Sequence, residues 1–347
     1  MKNDINGRVD IKENALAKLD PKILRILLKD KSKEYRKHRN QDSHIKTGII
    51  WATDDYLANG ENYAFSDEIT LAAITGKNGN VIRPRIEKSK EEQSNRAKEK
   101  AEVFTPSWVC NRQNNLIDNA WFGYENAFNT ETDNGWVTSE AKVVFPDTAG
   151  KTWQDYVRAN RLEISCGEAP YLASRYDTVT GEMIPVKDRI GLLDRKLRVV
   201  SENVNSEPEW VLWATKAVQS IYGYDWQGDN VLLARENILY TFAEHYEHKF
   251  TVPAIKEYLI QIAKVVAWNI WQMDGIKFVV PNSCYAEADE QLNMFGYVVT
   301  NPCPGCTTND HSRHNGIYCR IYDWSHNASV EFYSFFKKGA HNNGSKI

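Results

Sequence analysis

The run CPGCTTNDHSRHNGIYC, Cys303 to Cys319, places three cysteines and two histidines as C-x2-C-x4-H-x2-H-x4-C. Two thiolates flanking a Pro304-Gly305 turn are spaced for one tetrahedral ion. The expected ligands of a structural zinc are Cys303, Cys306, Cys319 and one of His311 or His314. The competing reading is a loop of reduced cysteines, since Pro304-Gly305 turns the chain with or without metal. Three thiolates and an imidazole leave no open coordination position. Hydrolytic zinc chemistry, including deamination, is therefore not the reading of this cluster.

A second set of residues lies upstream. LEISCGEAPYL, Leu162 to Leu172, reads as a strand carrying Glu163, then a small-residue turn at Cys166-Gly167, then a helix. A glycine directly after a strand lets a ligand approach the main chain, and a helix N-terminus offers free amides to an anion. Asp225 ends a second β-rich run, SIYGYDW, and Asp274 ends a third, NIWQMDG. An acid after the second strand suits the paired hydroxyls of a ribose, and one after the third suits an adenine amino group. A single glycine in the first turn does not make G-x-G-x-x-G, so NAD and FAD fit poorly. The alternative is that Asp225 and Asp274 cap local turns and helices.

Three strand-and-helix units would position these groups. After Asp225 a helix carries apolar residues at Val231, Leu232, Ala234, Ile238, Leu239 and Phe242, and PAIKEYLIQIAKVVAW forms another before Asp274. Strands alternating with such helices predict a parallel sheet, with ligands outside the carboxyl ends of its strands. Trp210 and Trp213 fall on a further helix and are assigned to the core. Leu16, Leu19, Ile23, Leu24, Ile26 and Leu27 predict an N-terminal helix fading into a basic exposed segment, and Arg83–Glu102 predicts a solvent-exposed helix. Asp188–Val204, with Arg189, Arg195, Lys196 and Arg198, reads as an insertion offering an interaction surface.

The character turns aromatic-rich near residue 100. The expected division is 1–100, a helical and basic segment; 101–281, the cofactor-binding domain; and 282–347, a Cys/His module and tail. A formal net charge of -3 argues against indiscriminate nucleic-acid binding. No signal-peptide-like stretch or run of about 18 apolar residues appears, so a cytoplasmic location and no membrane partner are expected.

AEVFTP, LEISCGEAPYL, YGYDWQGDNVLLAREN and NIWQMDG, in this order, resemble the S-adenosylmethionine motifs of amino-methylating DNA methyltransferases of restriction-modification systems, most of all proteins called restriction endonuclease subunit M. The resemblance spans roughly residues 100–280. It implies an α/β, class I methyltransferase-like (Rossmann-like) sheet between the N-terminal segment and the zinc module. It also implies S-adenosylmethionine bound by Phe104, Thr105, Pro106, Glu163, Cys166, Gly167, Glu168, Asp225, Trp226 and Asp274. SCGEAPYL departs from the commoner ACGSGNFL, with Glu168, Ala169 and Pro170 in place of the second glycine region. The family's N/D-P-P-Y/F tetrapeptide, which holds the flipped base, is absent from these 347 residues; NPCP at Asn301–Pro304 has no aromatic in fourth place. No catalytic residue is therefore named. The expected function is the cofactor-binding subunit of a DNA adenine-N6 methyltransferase of a restriction-modification or phage-defence system. A second chain would supply the missing motif across an apolar edge near Val330–Phe336, and DNA would be bound within the complex. The alternative is an inactive methyltransferase-like DNA-binding or regulatory protein.

Overall fold

Ile221–Asp225 alternates buried and half-buried residues because it is the middle strand of a sheet with different coverings on its two faces. The computed structural model describes residues 13–40, 44–100, 105–292 and 298–339. The central sheet has three parallel strands in the order Arg161–Ile164, Ile221–Asp225, Ile270–Gln272, with Glu163 beside Gly223 and Asp225 beside Gln272. Parallel neighbours require long crossovers. Helices Leu192–Asn203 and Glu207–Gln219 make the first, and Gly228–Phe250 and Lys256–Asn269 make the second. The expected mixed α/β architecture with a parallel sheet is present.

Gly228–Phe250 is the central helix. Val231, Leu232, Leu233, Ala234, Ile238 and Phe242 are all fully buried, because the sheet packs on one side and the N-terminal helices on the other. Arg235, also fully buried, ties these layers together: Nε donates to Ile270 O at 2.8 Å, and Nη1 reaches Leu27 O and Lys29 O. Leu16, Ile23, Leu24, Leu27 and Trp51 thus share one core with the sheet and its helices. Gln272 adds a second tie, accepting from Ile50 N and donating to Ile50 O. Residues before 100 are built into the same packing as those after it.

Two local expectations are corrected. No helix follows the first strand; residues 165–176 form a chain of turns, and the next helix of the crossover begins at Leu192. Ser165, Gly167 and Ala169 alternate into positive φ (48°, 53° and 62°), and Pro170 lacks an amide proton, so helical bonding cannot propagate. Lys90–Lys100 is the solvent-exposed helix expected in Arg83–Glu102, exposed at Lys90, Glu91, Glu92, Ser94, Ala97 and Lys98, while Arg96 points inward, only 4% exposed. The basic residues of 188–204 also turn inward: Arg195 bonds Asp118 at 2.5 Å and the side chains of Asn111 and Asn115, while Lys196 donates to Val157 O and Ser220 Oγ. Buried acceptors on distant segments hold these cations.

The C-terminal part begins on the sheet. Trp271, Met273, Val280, Cys319, Ile321 and Phe332 form a small second core, closed by an antiparallel hairpin, Arg320–Asp323 with Ala328–Glu331. Trp210 is fully buried and Trp213 packs edge-on against Trp153, as expected of core residues. Among the described residues no helix is long and apolar enough to cross a membrane.

Candidate metal centre and the crevice at the strand ends

Cys303 precedes the one-turn helix Pro304–Thr308, which turns Cys306 back beside it. The antiparallel pair Glu287–Leu292 and Val298–Asn301 carries the chain out from Cys284 and returns it to Cys303. His314 completes the group. The ligand atoms of Cys284, Cys303, Cys306 and His314 all lie within 4.8 Å of one another. His314 Nδ1 is 3.7 Å from Cys284 Sγ, 3.6 Å from Cys303 Sγ and 3.7 Å from Cys306 Sγ. A tetrahedron with bonds of about 2.0–2.3 Å has edges of about 3.5–3.8 Å, so the three Nδ1–Sγ separations match donors sharing one metal ion such as zinc.

The surroundings orient these ligands. The Asn315 amide donates to Cys303 Sγ at 3.4 Å, and Tyr318 accepts from His314 N while donating to His311 O. Burial opposes ionisation of Cys303, yet the Asn315 and Cys306 amides and His314 prevail, drawing its pKa down to about 6. Cys284 moves the other way, to about 12, through burial and its thiol bonds to Cys303 and Cys306. The two shifts show that the cluster favours one thiolate, held by its neighbours' donors, and a thiolate is the form that ligates metal.

Two expected ligands lie elsewhere. Cys319 is fully buried in the small core, where its thiol donates to Gln272 O at 3.4 Å; Cys284 occupies the ligand position assigned to it. His311 stands edge-on to the Phe278 ring at 5.6 Å, so His314 is the histidine of the group. Cys284 carries no local spacing signal, and only the hairpin brings it to Cys303. The chain holds an H-x-E triplet at His245–Glu247, the companion that a zinc deaminase would need beside P-C-x-x-C, but His245 bonds Asp194 at 2.9 Å and is not in the cysteine group. The deaminase constellation is therefore not assembled.

Gly167, Asp225 and Asp274 lie at or just past the carboxyl ends of the three strands. Gly167 N donates to Asp225 Oδ2 at 2.9 Å, and Asp225 Oδ1 accepts from Gln227 N at 3.0 Å. Burial raises the Asp225 pKa to about 6 against the pull of the Gln227 and Gly167 amides. A Cβ built on Gly167 would meet nothing within 4 Å, so this turn faces open space. Asp274 Oδ1 caps its own turn, accepting from Ile276 N and Lys277 N at 3.0 Å each. The Met273 amide bonds Asp225 O, joining the two strand ends.

The other motif residues surround that point at different depths. Glu163 is buried, accepts from Tyr171 N and Leu172 N, and is held well above the usual carboxylate range by burial. Cys166 is buried against Gly223, where a Cβ would lie 3.2 Å from its sulfur. Both shape the turn from inside. Glu168 accepts from Arg85 N at 2.6 Å and from the Tyr176 hydroxyl. Trp226 is 38% exposed and donates to Ala52 O. Thr105 O accepts from Thr178 Oγ1, and Pro106 opens the Ser107–Phe122 helix, whose first amide bonds Asp177. Phe104 lies outside the described residues.

Sequence reasoning missed the buried ion network beside this crevice. Arg96 bonds Asp229 at 2.9 Å, Gln227 at 3.0 Å and Asp55 at 3.0 Å; the Tyr56 hydroxyl and Lys88 also reach Asp229. Burial would raise the Asp229 pKa, but Arg96 and Lys88 hold it far below the carboxylate range. The network pins the Lys90–Lys100 helix to the N-terminus of the central helix. A separate cavity of about 1080 Å³, lined in part by Trp136, Arg189, Asp194, His245 and Lys249, contains none of the crevice residues. No family model, curated protein or solved structure matches the chain.

Proposed function

We propose that the chain is the S-adenosylmethionine-binding subunit of a DNA adenine-N6 methyltransferase, acting in the cytoplasm in a restriction-modification or phage-defence system. The observation that carries this reading is the bond from Gly167 N to Asp225 at the carboxyl ends of two neighbouring parallel strands, with Asp274 just past the end of the third. The open space over Gly167 leaves room for a ligand against the main chain, and Asp225 beside it offers a carboxylate to hydroxyl donors. When bound, the cofactor supplies an electrophilic methyl group. The chain's own part is to hold and orient it, with Asp225 toward the ribose, Asp274 toward the adenine and Trp226 at the rim.

The Cys284, Cys303, Cys306 and His314 group holds a structural zinc in this reading. Four protein donors leave no position for substrate. The missing N/D-P-P-Y/F assigns base holding to a second chain, with DNA bound by the pair. Unpaired thiols at all six cysteines suit a reducing compartment.

The test is calorimetric titration of the cofactor and its demethylated product into the chain, alone and in complex, with Asp225→Ala as control. No heat of binding in either preparation would remove the proposal. A specific observation favours the regulatory alternative: both Asp225 oxygens already accept main-chain amides of this chain. Tritiated-methyl transfer separates the two readings. Transfer by the two-chain complex supports the enzyme subunit, and binding without transfer in any preparation supports the regulatory protein.

A further inference from the structure

The cavity that Arg189, Asp194 and His245 line is bounded at that end by ion pairs that compensate one another. Arg189 places Nη2 on Glu244 at 2.6 Å and Nε on Ile184 O at 3.0 Å, with Nη1 3.9 Å from Asp194; Glu244 also holds Arg175 at 2.6 Å. Arg198 is spent on Glu202 at 2.7 Å and on the carbonyls of Phe128, Ser139 and Ala141. Lys249 donates to Ser201 O at 2.7 Å. Over the whole lining, carboxylates outnumber lysines and arginines, which disfavours an anion. The excess lies on Glu140 and Glu182, which are exposed and screened by water, so the buried end does not call for a cation either.

One neutral polar atom at that end is unused. His245 is only 4% exposed, and its Nε2 lies 2.9 Å from Asp194 Oδ1. Asp194 can only accept, and Ser174 N and Oγ fix its other oxygen, so Nε2 carries the proton. Burial holds the ring's pKa below its ordinary 6.5 against the pull of Asp194, which leaves a lone pair on Nδ1. No described residue donates to that Nδ1. A buried acceptor without a donor is costly, and a ligand in the cavity can supply one. Trp136 lines the same cavity, its ring fixed by the bond from Nε1 to Asp188 O at 2.8 Å.

We infer that this cavity binds a neutral ring compound whose hydroxyl or N–H group donates to His245 Nδ1 and whose ring lies against Trp136. Sugars and nucleobases share that chemistry. The volume, about 1080 Å³, is that of a large small-molecule site and holds more than a single ring. Nucleotides and other polyanions are disfavoured by the excess of carboxylates. Gly167, Asp225 and Asp274 do not line this cavity, so the inference stands apart from the cofactor reading.

The test is a ligand-observed NMR titration of the full chain with glucose and adenine, and with benzoate and benzylamine as charged ring controls. The Asp225→Ala chain is titrated in parallel, which separates adenine held in the crevice from adenine held in the cavity. At least one neutral probe should bind both chains alike, and about tenfold or more tighter than either charged control, because the buried end offers a charge no free partner. Glucose alone assigns a sugar site, and adenine alone a nucleobase site. His245→Phe should weaken the bound probe about tenfold or more. That variant also strips Asp194 of its imidazole, so a second measurement leaves the chain intact: diethyl pyrocarbonate should acylate His245, read by mass spectrometry, and the bound probe should slow the reaction. Four outcomes would each overturn the inference: no binding of either neutral probe to the Asp225→Ala chain, tighter binding of a charged control, full affinity in His245→Phe, or a His245 that stays unmodified while the exposed His248 reacts.

Discussion

Gly305 lies directly against His314: a Cβ on Gly305 would come within 2.6 Å of both the Nδ1 and the backbone nitrogen of that histidine. The glycine is needed for close approach, because Nδ1 is the atom that faces the three thiols. Gly305→Ala should displace the imidazole and lower zinc affinity by an order of magnitude or more, read by competition with a chromophoric chelator. Full retention of affinity would show that His314 is not a ligand.

Cysteine replacements give a sharper contrast. Cys284→Ser and Cys306→Ser should each release the metal and loosen the fold from Cys284 to Cys319, since structural zinc contributes folding free energy directly. Cys319→Ser should retain one zinc per chain and lose only packing, because its thiol lies in the small core. Elemental analysis of the three variants decides, and metal loss in Cys319→Ser alone would reverse the assignment.

The buried network around Asp229 predicts a pH response. Its folded pKa is depressed below the ordinary 3.8, so the stability it contributes is present above about pH 4 and is lost as pH falls toward the folded value. Asp229→Asn leaves Arg96 and Lys88 facing no charge there and should cost about 3–5 kcal/mol at pH 7. Denaturant melts at pH 7 and pH 3 should show the difference between wild type and variant shrinking in acid.

Glu13 and Glu236 predict the opposite slope. Both carboxylates are fully buried away from any other residue's donor, and the Glu13 charge raises the cost of ionising Glu236. Burial lifts the Glu13 pKa to about 8. A raised carboxyl pKa means that the native state holds the proton more tightly, so stability is greatest below about pH 4.5 and declines as pH rises through 8. Arg175 is the cation acting on Glu236 and offsets this only in part. Glu13→Gln should raise the melting temperature at pH 9 and leave it nearly unchanged at pH 5. Equal shifts at both values would show that packing, not charge, is responsible.

The sequence carried the parallel units well where one helix face or one strand recorded its own environment. SIYGYDW with the helix after it, and the helix before NIWQMDG, lie where their apolar periodicity places them. Charged residues were misread wherever the partner was distant in the chain. Arg96 meets Asp229 across 133 positions and Arg195 meets Asp118 across 77, and nothing local distinguishes such an arginine from a solvated one. Cys284 escaped for the same reason, as the hairpin that returns the chain is a tertiary fact. The turn after Cys166 was misread because Ala169 and Ser165 adopt positive φ, which their residue types do not announce.

Asp225 supplies the last prediction. Its pKa is raised to about 6 by burial, while Gly167 and Gln227 donate to its two oxygens. In the proposed complex its carboxylate accepts from ribose hydroxyls, and the ionised form is the stronger acceptor, with charge-assisted bonds contributing about 1.5–3 kcal/mol. Cofactor affinity should therefore rise about tenfold or more between pH 5 and pH 7 and then level off. Asp225→Asn keeps the shape and one acceptor oxygen but cannot ionise. It should bind weakly and show no such rise, whereas the Gly167 turn should survive, because the amide oxygen still accepts from Gly167 N. Calorimetry across that range on both proteins is the measurement. A wild-type affinity independent of pH, with Asp225→Asn binding equally well, would place the ribose away from Asp225.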